Sequence, residues 1–278
     1  MGPWQVWQDG DIGGWTRGEG DNCLVLLHGG PDLSDYLEEV GDLLARQLGD
    51  AWSILRYQQR GLSPSTTEGP FTVEQEVRDL LTVCDGLKSS AIRVLGHSWG
   101  GYLAMHALAA APDRFRGAVI VDSLGAVGDG GQRAMFKHFA SLLTPEEAAE
   151  WTRLEELSTT RGLSFEQKAA QDSILWPYYF SDPASAPPSL PIRRGPGDHR
   201  ESIAEHFEKL TLLHGLRSVP TPTLFLAGTK SPIPHEQSLR SAELMPEAKV
   251  VLLPTGHFPW LERPTETVEP IAAFLAKT

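Results

Sequence analysis

Ile92-Arg93-Val94-Leu95-Gly96-His97-Ser98-Trp99-Gly100-Gly101-Tyr102-Leu103-Ala104-Met105 runs from a strand pattern through a glycine-flanked serine into a helix pattern. An apolar run reaches a glycine, a serine sits two residues on, a second glycine follows, and the apolar spacing then becomes helical. G-x-S-x-G between a strand and a helix is the nucleophile-elbow pattern. Its glycines are needed because the turn is crowded, and a side chain at either place would block the close approach of strand and helix. The turn lifts Ser98 off the sheet edge. The helix that follows aims free backbone N–H groups at negative charge developing there.

Outward from the elbow, strands alternate with helices. Trp4–Gln8 and Ile12–Thr16 flank an Asp9-Gly10 turn and predict a hairpin. Cys23–Leu27 is a continuous apolar run, expected of a strand buried on both faces. A helix is expected over Ser34–Leu48, a strand at Trp52–Leu55, and a helix over Thr72–Leu87 that opens on a Thr72…Gln75 capping pair. The elbow helix runs to Ala111, and Ala118–Val121 is a further buried strand. This order predicts an α/β fold, a mostly parallel sheet flanked by helices. The alternation stops over residues 123–219, which read as helices and Pro-rich linker. It resumes with strands at Thr223–Ala227 and Val250–Leu253 and a final helix. The expected organisation is a core (1–122), a helical lid (123–219) inserted after the strand ending near Asp122, and the rest of the core (220–278).

Composition narrows the function classes. Net charge is −12, from 36 acidic and 24 basic residues, which argues against nucleic acid or anionic membrane as a partner. The expected partner is a small-molecule substrate. No apolar run reaches membrane-spanning length and the N-terminus does not read as a leader, so a cytoplasmic location is expected. Cys23 and Cys84, on a strand and a helix pattern, read as small buried hydrophobes. Oligomeric state is not legible.

A serine hydroxyl needs a base to take its proton. His257 stands in Thr255-Gly256-His257-Phe258-Pro259, directly after the last strand and so on the same rim as the elbow. The other histidines away from the motifs, His106, His138, His199, His206, His214 and His235, read as surface or lid residues. An oxyanion hole requires two preorganised N–H donors. The Trp99 amide supplies one, and the glycine turn His28-Gly29-Gly30-Pro31 supplies the other, through Gly30 in preference to Gly29. His28 reads as a residue that shapes this turn.

Three segments together, His28-Gly29-Gly30-Pro31-Asp32, Gln58-Gln59-Arg60-Gly61 and Gly96-His97-Ser98-Trp99-Gly100-Gly101, resemble the HGGPG, DQRG and GxSWGG motifs of the prolyl aminopeptidase (proline iminopeptidase) group of the α/β-hydrolases. The resemblance covers the core and is weak in the lid. It implies the α/β-hydrolase fold and hydrolysis through an acyl-enzyme, with no metal or organic cofactor. Asp32 and Gln58 depart from the group's glycine and aspartate. So does Ser231, in Gly228-Thr229-Lys230-Ser231-Pro232, where the triad carboxylate of many such enzymes would stand. A serine cannot stabilise an imidazolium as a carboxylate does.

Three arrangements remain open for the acid. It has moved to Asp122, at the end of the strand after the elbow helix; or Ser98 and His257 act as a dyad; or another carboxylate, Asp32 or Glu236, serves. Substrate contacts are expected from Gly29, Asp32 and the lid aromatics Trp151, Trp176, Tyr178 and Tyr179. The expected activity is cleavage of a carboxylic ester, lactone or small amide. The alternatives are an aminopeptidase, with lid carboxylates such as Glu155, Glu201 or Glu205 binding a free ammonium, and a ligand-binding protein with little turnover. Dehalogenase and epoxide-hydrolase chemistry would need a carboxylate at Ser98.

Overall fold

The structure is a computed structural model that describes residues 2–87, 89, 91–160 and 163–278. Its strands are β1 (Gln5–Asp9), β2 (Ile12–Arg17), β3 (Asn22–Leu27), β4 (Trp52–Tyr57), β5 (Ala91–His97), β6 (Gly117–Val121), β7 (Thr223–Gly228) and β8 (Ala248–Leu253). They form one sheet in the order β1-β2-β4-β3-β5-β6-β7-β8. The β1–β2 and β2–β4 pairs are antiparallel and all the others parallel. The expected hairpin forms with Asp9 paired to Ile12, so its two-residue loop is Gly10-Asp11, one residue later than the sequence suggests.

The helices are α1 (Glu38–Leu48), α2 (Val73–Gly86), α3 (Trp99–Ala110), α4 (Gln132–Leu142), α5 (Pro145–Thr160), α6 (Phe165–Leu175), α7 (Arg200–Glu208), α8 (Thr211–Gly215), α9 (Glu236–Ala242), α10 (Pro259–Glu262) and α11 (Pro264–Leu275). Alternate residues of the central strands enter two cores. Val25, Leu27 and Val94 meet α2 and α3 on one face through Leu80, Val83 and Leu103. Leu24, Leu26 and Leu95 meet α1 and α11 on the other through Leu44, Val268 and Ile271. Cys23 and Cys84 are free and buried, as expected.

Among the described residues, the stretch between β6 and β7 holds helices, short 3-10 turns and a single bridge, Leu33 to Arg194, but no strand. Helix α2 starts as read, with Thr72 Oγ1 accepting from the Gln75 amide. Helix α1 starts at Glu38 and not at Ser34, because residues 32–35 are committed to other bonds. Ser34 exchanges two bonds with Arg193, and Asp35 donates its amide to Gln58 Oε1 at 2.9 Å.

His106 corrects the expectation of a surface or lid position, whereas His199 falls in the 123–219 stretch but not at the surface. His106 lies on α3 inside the core, and His199, although between β6 and β7, is fully buried against Glu76 of α2 at 3.1 Å. Burial pushes the His106 imidazole down to about 3, so it stays neutral.

Arg60 shows how the segment after β4 is fixed. Its guanidinium makes a two-pronged pair with Asp79 of α2, at 2.6 and 2.8 Å, and a third bond to the Glu68 carbonyl. Both side chains are buried. Removing one member of such a pair strands the other charge away from water. Asp79→Ala is therefore expected to destabilise the protein by about 3–5 kcal/mol, read from urea unfolding. A loss below about 1 kcal/mol would show that Arg60 finds water or another acceptor.

Candidate active site

The carboxyl ends of β3, β5, β6, β7 and β8 reach one rim, where Gly30, Ser98, Asp122 and His257 stand. Ser98, directly after β5, has φ 56° and ψ −123°, a left-handed backbone that a non-glycine residue adopts only when its surroundings enforce it. Here its amide bonds to the Val121 carbonyl at 2.9 Å. The flanking glycines admit no substitute. A Cβ on Gly96 would lie 2.1 Å from the Gly100 carbonyl oxygen, and one on Gly100 would lie 2.1 Å from that of Leu27.

Of Asp122, Asp32 and Glu236, Asp122 is the carboxylate that contacts His257. Asp122, one residue past β6, places Oδ2 2.6 Å from His257 Nδ1, and both side chains are buried. The amide of Gly228, at the end of β7, donates to Asp122 Oδ1 at 2.8 Å. Ser231 Oγ donates to the same Oδ2 at 2.5 Å and itself accepts from the Ile233 amide. The serine in the expected acid position thus holds the carboxylate that reaches the histidine. Asp32 and Glu236 are elsewhere: Asp32 accepts from the Gly197 amide at 2.8 Å, and Glu236 begins α9.

The His257 loop is clamped on several sides. The His257 amide donates to the Tyr179 carbonyl at 2.6 Å, and the Gly256 amide to Glu262 Oε1 at 2.6 Å. With Nδ1 on the carboxylate, Nε2 is the ring nitrogen left to face the cavity.

The glycine turn is held by buried amides. Gln59 donates its backbone N–H to His28 Nε2 and its side-chain N–H to the His28 carbonyl, while its Oε1 accepts from Trp99 Nε1 at 2.8 Å. His28 is buried, and burial lowers its basicity, consistent with a shaping role. Gln58 donates to the carbonyls of Leu33 and Gln59. The Gly29 amide is spent on Tyr36 Oη at 2.8 Å. Among the described residues the amides of Gly30 and Trp99 have no acceptor within the chain.

Ser98, Gly30 and His257 line one cavity of about 290 Å³. Leu33, Leu175, Trp176, Tyr179, Leu190, Ile192 and Phe258 give it apolar walls, and the Asp172–Arg194 ion pair (2.6 Å) adds one charged patch. Of the lid aromatics expected at the substrate, Trp176 and Tyr179 are in this wall. Tyr178 lines a separate cavity and donates to Glu147 at 2.7 Å. Residues 176–179 form a 3-10 turn, which sets positions i and i+3 on the same side and turns i+2 away. Trp151 is half-buried on α5 and, like Asp32 and Gly29, is not in the cavity wall. Asp172 and Arg194 were not singled out by sequence, since isolated charges in a polar segment carry no spacing signal. Among the described residues, no cluster of His, Cys, Asp and Glu is placed to hold a metal ion, and no helix is long and apolar enough to cross a membrane.

A family model described as "Alpha/beta hydrolase family" matches residues 24–269, and the chain belongs to that family of hydrolytic enzymes. Proline iminopeptidase of Lactobacillus crispatus (strain ST1) is 40% identical over 86 residues, 30% of this chain and 29% of that relative. Proline iminopeptidase of Clostridioides difficile (strain 630) is 34% identical over 90 residues, 31% and 30% of the two chains. The alignment thus spans less than a third of either relative. Among solved structures, a proline iminopeptidase from Mycobacterium smegmatis superposes with TM-score 0.68 at 21% identity, covering 99% of this chain and 98% of that one. A thermophilic esterase from Thermogutta terrifontis superposes with TM-score 0.68 at 22% identity, covering 99% of each. Both show the shared fold.

The Ser231 bond to Asp122 generates a stability prediction. Ser231→Ala removes a donor to a buried carboxylate, a bond worth about 1.5–3 kcal/mol. Chemical denaturation should show a loss of that size, and Ser231→Thr, which keeps the hydroxyl, should lose less. Equal stability of Ser231→Ala and wild type would mean that the hydroxyl does not hold Asp122 in solution.

Proposed function

We propose that this chain is a serine hydrolase that cleaves a small carboxylic ester, lactone or amide through an acyl-enzyme. The observation that carries the proposal is the 2.6 Å contact of Asp122 Oδ2 with His257 Nδ1, in a buried pair whose histidine shares a cavity with Ser98 and Gly30.

In this mechanism Ser98 Oγ attacks the substrate carbonyl carbon while His257 Nε2 takes the hydroxyl proton. Asp122 keeps the imidazole in the Nδ1–H tautomer and stabilises the imidazolium that forms. The carbonyl oxygen becomes an oxyanion facing the free amides of Gly30 and Trp99. Removing one such donor typically costs about 10²–10³ in rate. His257 then gives its proton to the leaving oxygen or nitrogen as the bond to carbon breaks. Water, deprotonated by the same nitrogen, hydrolyses the acyl-enzyme and restores Ser98. The stretch between β6 and β7 covers the nucleophile as a lid through Trp176 and Tyr179, whose apolar rings exclude water and favour an apolar acyl or leaving group.

A second reading, an aminoacyl-amide hydrolase, is favoured by the Asp172 carboxylate in the cavity wall and by the proline iminopeptidase relatives. Proline and alanine arylamides turned over only with a free amine would support it. Ester hydrolysis with no free-amine substrate accepted would remove it.

A fluorophosphonate that labels active serines tests the shared chemistry. Wild type is expected to gain one adduct on Ser98, and Ser98→Ala none. Asp122→Asn, with the wrong histidine tautomer favoured, should label at least a hundredfold more slowly, on the scale of about 10⁴ for loss of such an acid. Equal labelling of wild type and Asp122→Asn would sink the assignment of the acid. A wild type that never labels, with Ser98 accessible to other reagents, would favour a binding protein.

A further inference from the structure

His97 stands between Gly96 and Ser98, and its ring is fully buried. Its Nε2 lies 2.8 Å from the His257 carbonyl oxygen, which can only accept. The proton of a neutral ring therefore resides on Nε2, leaving Nδ1 as an acceptor. Burial, and then the neighbouring His257 ring, push the His97 imidazole well below its usual range, so the neutral form is the relevant one. Tyr36 Oη lies 2.7 Å from that bare Nδ1 and must give it its single proton. Burial also keeps this phenol protonated. The phenolic oxygen is then free to accept, and it does so from the Gly29 amide at 2.8 Å. One acceptor, the His257 carbonyl, thus dictates the direction of every bond in the chain Gly29 N–H → Tyr36 Oη–H → His97 Nε2–H → His257 C=O.

The ends of this chain are the glycine turn and the His257 loop, and its middle is the residue before Ser98. Clearances are small: a Cβ on Gly29 would lie 2.2 Å from Tyr36 Oη and 2.7 Å from Ser98 Cβ. The Gly29 amide is held by Tyr36, and the next residue, Gly30, lines the cavity. We propose that Tyr36 and His97 are positioning residues that lock the oxyanion turn, the nucleophile and the general base into one arrangement through a single directed hydrogen-bond chain. The inference rests on the proposed serine-hydrolase reading. Neither side chain touches the reacting atoms through this chain. They act on the transition state by fixing where the Gly30 amide and the His257 ring stand.

Saturation kinetics of fluorophosphonate labelling, on the full chain, separate positioning from general damage. Tyr36→Phe keeps the ring and its packing while removing the hydroxyl, so its melting temperature serves as the check on folding. The limiting labelling rate is expected to fall about ten- to hundredfold, less than or near the loss of one oxyanion donor, while the half-saturating probe concentration stays within about twofold. His97→Leu should show the same loss. His97→Gln, whose amide can accept from Tyr36 and donate to the His257 carbonyl, should recover to within about threefold of wild type. Because both residues act through one chain, Tyr36→Phe combined with His97→Leu should lose little more than either alone. A folded Tyr36→Phe that labels at the wild-type limiting rate overturns the proposal, and so does a loss seen only in half-saturation. Full additivity of the two substitutions also overturns it. A wild type that fails to label at Ser98 is a different result, because it removes the hydrolase reading itself and the inference with it.

Discussion

The crossing of β5 and α3 over the end of β3 constrains everything built around it. Backbone atoms meet there at distances that leave no room for a single methyl group at Gly96 or Gly100. The chain makes that crossing only if Ser98 takes a left-handed backbone. Such a conformation costs about 1–3 kcal/mol and persists only where its surroundings over-determine it. The parallel sheet supplies those surroundings. Pairing of β3, β5 and β6 sets Leu27 beside Gly96 and His97 beside Val121, and the Val121 carbonyl captures the Ser98 amide. The two cores on either face hold the strands in that register.

From that crossing, the polar groups at the rim follow a common rule. Asp122 and Gln59, buried near Ser98, each take partners from other strand ends. The two oxygens of Asp122 after β6 are met by the Gly228 amide of β7, by Ser231 just past it, and by His257 after β8. The polar atoms of Gln59 after β4 are met by His28 after β3 and by Trp99 at the start of α3. Unpaired polar atoms at such depth would cost about 1–3 kcal/mol each, so the rim tolerates few alternative arrangements. Among the described residues the amides of Gly30, which borders the cavity, and Trp99, next to Ser98, depart from this rule.

The elbow, the glycine turn and the strand–helix alternation were legible in the sequence because each is a local pattern. Spacing of a few residues is enough to express a strained turn or a capped helix. What depends on separate strand ends meeting was less legible. Asp122 and His257 are 135 positions apart, and Tyr36 and His97 are 61 apart, so no spacing rule connects them. Asp122 could be weighed against a dyad and against other carboxylates, but its contact with His257 needed the sheet order. Ser231 read as the loss of a carboxylate, whereas in space it is a donor to one. The aromatic cluster at residues 176–180 was visible as composition. Its division into wall residues Trp176 and Tyr179 and the outward Tyr178 follows from the three-residue period of the 3-10 turn, which a short run of aromatics does not disclose. His106 was misplaced because a histidine on a small-residue helix has no sequence mark that separates a buried ring from an exposed one.

The stitching of residues 32–34 to residues 193–197 has a consequence for the cavity wall. Ser34 and Arg193 exchange two bonds, the Asp32 carbonyl accepts from the Gly195 amide, and Asp32 Oδ1 accepts from the Gly197 amide. This border of the covering segment is thereby an extension of the turn that carries Gly30, and the two behave as one body. If that border moved, the turn that carries Gly30 would move with it. Helix α6 joins the same border, through Lys168 Nζ on the Gly195 carbonyl at 3.1 Å and through the Asp172–Arg194 pair. The one charged patch of the cavity wall is thus tied to the turn that carries Gly30, and its place relative to Ser98 is set by that stitching and not by the covering helices alone.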